Sequence, residues 1–139
     1  MNTPLDLKAV AKGAFVGGAA AGVLDVGLFF LGSAIGADYK TKDPAAMGGL
    51  ETLFFVQPFM NCIIAAAVSV GLLAALSKLA PAKAWMIYLV VAAVVFLGEA
   101  YAPFWAFEDM KTIVMLEIMH IPATVGIVGG IYMTAINGR

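Results

Sequence analysis

Four long apolar runs alternate with short polar, proline-bearing segments along the chain. The runs cover roughly residues 9–35, 50–79, 84–101 and 112–136, and the segments between them cover 37–49, 77–83 and 102–111. A helix needs about 20 mostly apolar residues to cross a bilayer, and each run reaches or approaches that length. The pattern predicts an all-α integral membrane four-helix bundle, built as two helical hairpins with both termini on the same side. The spans use nearly the whole chain, so residues 1–139 are read as a single four-span transmembrane domain. The first run follows Lys8 and Lys12 as a signal peptide would. It is longer than the usual core of about 7–15 apolar residues and carries Asp25, so it is read as a retained span.

Composition strengthens this reading. Hydrophobic residues make up 63% of the chain and charged residues only 12%, about half the charged share of a soluble domain. Too few polar side chains remain to coat a water-facing surface. The net charge of −1 gives no basis for nucleic-acid binding, which needs a clustered basic face. Cys62 is the only cysteine, so no internal disulfide forms. No nucleophile elbow, phosphate loop or zinc-protease motif is present, which leans against an enzyme.

Orientation follows from the positive charges. Lys8, Lys12, Lys78, Lys83 and Arg139 fall on the side of the termini, against Lys40, Lys42 and Lys111 on the other. The excess predicts cytoplasmic termini in a bacterial inner membrane. Trp85 and Tyr88 sit near one expected interface, and Tyr101 and Trp105 near the other, as an aromatic belt would place them.

Ala14, Gly18, Ala21, Asp25, Phe29, Gly32 and Gly36 recur three or four apart on the first run. Small residues at that spacing let helix backbones approach closely in lipid. The stripe predicts a packing seam and turns Asp25 towards the bundle interior. Gly126, Gly129 and Gly130 suggest a second close contact, within the bundle or against another subunit. Association with further copies or with other membrane subunits is therefore expected.

Charged groups inside a membrane are functional candidates by default. Here these are Asp25, Glu99, Glu117 and His120, joined by the uncharged Gln57 and Asn61. Counted at about 1.5 Å per residue from the ends beside the first and third loops, Glu99 lies roughly 6 Å deep. Gln57 and Glu117 lie roughly 9–10 Å deep, and Asp25, Asn61 and His120 roughly 14–16 Å. All six fall in one half of the membrane. Pro58 and Pro122 occupy the same layer and are expected to kink their helices, freeing the carbonyls near Phe54 and Ile118.

Three chemistries fit such a cluster. An Asp–Glu–His set can bind or relay a proton or small cation. Glu117-x-x-His120 matches one of the two Glu-x-x-His elements of a di-iron bundle; with Asp25 and Glu99 it allows at most a single metal ion. Alternatively, the groups hydrogen-bond one another and lock the helices together, each bond contributing about 0.6–2 kcal/mol. A single histidine excludes bis-histidine haem ligation within one chain. The polar pocket supports a proton- or cation-binding function; the alternative is an accessory, non-catalytic subunit of a larger membrane complex. With its four apolar runs and its Met119-His120 pair, the chain resembles small bacterial four-span membrane proteins of unknown function, and that resemblance implies no activity.

Overall fold

The computed structural model describes residues 5–137; Arg139, counted above among the positive charges, lies outside them. The helices are α1 (Leu7–Ala34), α2 (Val56–Leu79), α3 (Ala84–Ala106) and α4 (Met110–Ile131), and the chain continues from α4 into a π-helical turn, Tyr132–Ile136. Among the described residues these four helices are long and apolar enough to cross a membrane. An even number of spans places both ends of the bundle's chain on one side. Asp6 caps α1 by accepting from the amides of Lys8 (2.9 Å) and Ala9 (3.3 Å).

α1 is the central packing element. It lies tightly against α4 and α2 and does not touch its diagonal neighbour α3, which leans more loosely on α2 and α4. Lipid tails are as apolar as leucine, so burial alone does not draw such helices together, and close packing must. Val16, Leu24 and Phe30 accordingly face outward, while the small residues face inward. Gly13 lies against the Gly130 backbone and Gly17 against the Gly126 backbone, forming a direct α1–α4 seam. One face further round, a side chain at Gly18 would meet the Cys62 carbonyl at 3.1 Å, and one at Gly22 would meet the Phe59 ring at 2.7 Å. Two stripes of small residues therefore serve two partners. Gly126 and Gly130 are used within the bundle, which removes them as an argument for a second subunit; only Gly129 points to open space.

Element boundaries differ from the sequence reading in two places. α2 starts at Val56 because residues 50–53 pair back along the first loop: Thr41 N–H donates to the Glu51 carbonyl (3.0 Å) and Leu53 N–H to the Tyr39 carbonyl (3.0 Å). Pro58 thus falls in the first turn of α2, where no amide is missed, and it introduces no kink. α3 continues to Ala106 through Pro103, which leaves only residues 107–109 as the third loop. Pro103 removes the donor for the Glu99 carbonyl, and Pro122 inside α4 does the same for Ile118.

The first loop folds over the end of the bundle as a cap. Tyr39 is 2% exposed and stacks on Phe29 with ring centroids 4.2 Å apart. Its phenol donates to the Phe29 carbonyl (3.2 Å). Lys111 Nζ binds the Ile35 carbonyl at the end of α1, and Lys42 Nζ binds the Phe104 carbonyl near the end of α3, both at 2.9 Å. Positive charge at a helix C-terminus is favourable, so both lysines fasten the cap. Asp109 caps α4 and also accepts from the Thr112 hydroxyl (2.7 Å) and the Asp38 amide (3.3 Å). The Thr112 hydroxyl and amide hold the Asp109 carboxyl below its usual range. Its contribution is therefore complete above the ordinary carboxylate range and lost as pH falls through the depressed value. The Tyr39 phenol is pushed up, first by burial and then by the Asp109 charge.

Thr112 is fully buried, and its hydroxyl accepts the Tyr39 amide at 3.0 Å. Thr112→Val should strand that buried donor at a cost of about 1–3 kcal/mol, while Thr112→Ser stays near wild type. Thermal melts in lipid nanodiscs compare them; equal stability of the two variants would mean that Thr112 does not hold the cap.

Candidate functional site

Because α1 does not reach α3, a cavity remains between α2, α3 and α4, and α1 contributes Asp25 to its lining. Its volume is about 450 Å³. Each helix contributes one titratable side chain from the polar layer to the wall: Asp25 from α1, Cys62 from α2, Glu99 from α3 and His120 from α4. Gln57 and Asn61 line the same end, and the cap closes over it with Leu53. The other end is apolar, walled by residues such as Ala65, Leu72, Val91 and Ile127. There Tyr88 donates to the Ser69 hydroxyl (3.1 Å) and forms the floor.

Asp25 is the most buried charged-type group among the described residues, 2% exposed on the packed face of α1. One carboxyl oxygen accepts the Cys62 thiol at 3.2 Å. The other is buried and has no hydrogen-bond partner, as is also true of Glu117 Oε1 and His120 Nδ1. Buried polar atoms are nearly always paired, so three such atoms in one polar layer require an explanation. A lock of mutually bonded side chains does not supply it, because these groups are not bonded to one another.

The structure brings five of the six expected residues to one cavity and leaves Glu117 outside its wall. Three residues along a helix still leave about 60° of rotation between side chains. That offset turns Glu117 off the wall that His120 faces, and Leu116 takes the wall position one turn before His120. Gln57 is shallower than expected, since it is the second residue of α2, and its Oε1 accepts the Phe54 amide (2.6 Å), so it also acts as a cap. Measured from the helix ends, Asn61 is about 8 Å deep, Glu99 about 10 Å, and Asp25 and His120 about 14–15 Å. All remain in one half of the bundle. Cys62 is a site residue that the sequence reading does not single out, although a polar side chain directly after Asn61 on a packed helix is a usable signal. Among the described residues, no group of three or more His, Cys, Asp or Glu side chains is placed to hold a metal ion. The Glu117–His120 pair therefore has no third such ligand there.

A family model described as a family of unknown function matches residues 6–135. No curated protein and no solved structure matches the chain.

Proposed function

The chain belongs to that family, DUF6069, and we propose that its cavity binds and exchanges a proton or small cation at Asp25. The supporting observation is the Asp25 carboxyl itself: almost fully buried, on the cavity wall, with one oxygen on the Cys62 thiol and the other unpartnered. A carboxyl kept at that depth with one oxygen on a weak thiol donor and the other unpartnered is poised to take a proton or a cation. His120 lies at a similar depth, and Asn61 lines the same cavity nearer its capped end. Glu99, exposed on α3, supplies a second carboxyl between Asp25 and the capped end of the bundle.

Whatever binds the folded state raises its melting temperature by mass action. A series of pH values and of sodium, potassium and magnesium concentrations, run on the protein in nanodiscs, should shift the melting temperature of wild type. Asp25→Asn should remove the shift. A wild-type melting temperature indifferent to the whole series would overturn the proposal.

A second reading, an accessory subunit that associates with other membrane chains, draws on the loose contacts of α3. Under it a neighbouring helix fills the side of the cavity between α2 and α3. Both readings share one topology, with cytoplasmic termini in a bacterial inner membrane, proposed from the excess of lysine and arginine on that side. In intact cells an impermeant thiol reagent should label Ala45→Cys in the cap and spare Lys78→Cys. Labelling of Lys78→Cys alone would reverse the orientation.

A further inference from the structure

The cavity is far larger than a proton or a hydrated ion requires. A water molecule takes about 30 Å³ of liquid, against a cavity of about 450 Å³, and most of the wall would not wet. The space lies in the range of sites for small organic ligands. It is also elongated. From Gln57 to Leu72 the α2 wall runs about 22 Å at about 1.5 Å per residue, and the part beyond Asn61 accounts for about 16 Å of that.

Polarity is divided along this length. The carboxyls of Asp25 and Glu99 lie in the half under the cap, and the half towards Tyr88 is walled mainly by aliphatic side chains. His120 is the only wall residue able to carry positive charge; among the described residues no lysine or arginine lines the space. Access is lateral. Ile64, Val68 and Val95 belong to the wall, yet are 56%, 64% and 50% exposed. They flank an opening between α2 and α3 that faces hydrocarbon.

We infer that this slot takes an amphiphilic organic cation from the bilayer, with an ammonium-type head on Asp25 and Glu99 and an apolar tail lying towards Tyr88. The inference rests on the reading of Asp25 as a cation site and names the kind of cation. Charge complementarity selects the head, the aliphatic walls select the tail, and the side opening sets the route.

Trp85 stacks on Tyr88 with ring centroids 5.4 Å apart, at the tail end of the slot. It reports occupancy once Trp105 is replaced by Phe. The full chain in phosphatidylcholine nanodiscs is titrated with dodecyltrimethylammonium brominated at the tail end, whose bromine quenches nearby indole. Brominated dodecanol and dodecyl sulfate serve as neutral and anionic comparisons. Saturable quenching is expected for the cation alone. Asp25→Asn should weaken its apparent affinity roughly tenfold to a hundredfold, the scale of a hydrogen bond to a charged group. Filling the tail half with Ala65→Phe or Ala92→Phe should abolish saturation in whichever variant melts as wild type does.

Equal saturable quenching by brominated dodecanol would overturn the inference, since the slot would then accept any acyl chain. So would a disulfide-linked dimer of Val68→Cys that excludes the cation, which would give the opening to a second copy. If quenching never saturates while the melting temperature still responds to protons or inorganic cations through Asp25, the amphiphile is wrong and the Asp25 site stands. If neither responds, both fall.

Discussion

Gly17→Ala should destabilise the bundle by about 3 kcal/mol or more, at or above the usual upper range for overpacking, whereas Gly129→Ala should not. A methyl group on Gly17 would fall on the Gly126 carbonyl, and one on Gly126 would lie 2.6 Å from the Gly17 carbonyl. Both obstacles are backbone, so no rotamer change clears them. The helices would have to separate along the whole seam, carrying the Gly13–Gly130 contact with them. Gly129 sits on the same helix, and a methyl group there would meet nothing within 4 Å. Alanine at that position changes only helix propensity, by about 1 kcal/mol in alanine's favour. Thermal unfolding in nanodiscs measures both. Equal melting of the two variants would mean that α1 and α4 do not touch through these glycines.

Asp25→Leu should stabilise the protein by about 1–3 kcal/mol, the penalty commonly attached to a buried polar group left unpaired. The cavity beside Asp25 has room for the larger side chain, and the Cys62 thiol is a weak donor to lose. If Asp25 instead locks helices together, the same change should destabilise by about 0.6–2 kcal/mol, as losing a membrane hydrogen bond does. The sign of the effect separates a carboxyl retained for function from one retained for packing. A stabilised variant that has lost its response to protons and cations is the expected combination.

The spans were legible because a bilayer demands a long apolar run, and nothing else in the chain can satisfy that demand. The inward face of α1 was legible for a related reason: Ala14, Gly18, Ala21, Asp25 and Phe29 repeat at helical spacing, and all five are buried. What failed was local. Leu50–Leu53 read as the start of a span because apolar residues there also suit a cap over the bundle end. Pro103 read as a helix terminator, yet α3 absorbs it three residues before its end. Glu117 and His120 read as neighbours, but the remaining rotation between them decides which faces the cavity. The cavity itself depends on the separation of α1 from α3, a matter of helix arrangement that no spacing within one helix reveals.

Protonation of Asp25 can be followed directly. Infrared difference spectra of the protein in nanodiscs, taken as pH is stepped from acid to alkaline, resolve the carbonyl band of a protonated carboxyl in an apolar setting. The expected result is a band that disappears as pH rises, falls when the bound cation is supplied at fixed pH, and is absent from Asp25→Asn. A difference spectrum that is the same in wild type and Asp25→Asn would contradict it, because Asp25 would then exchange neither a proton nor a cation.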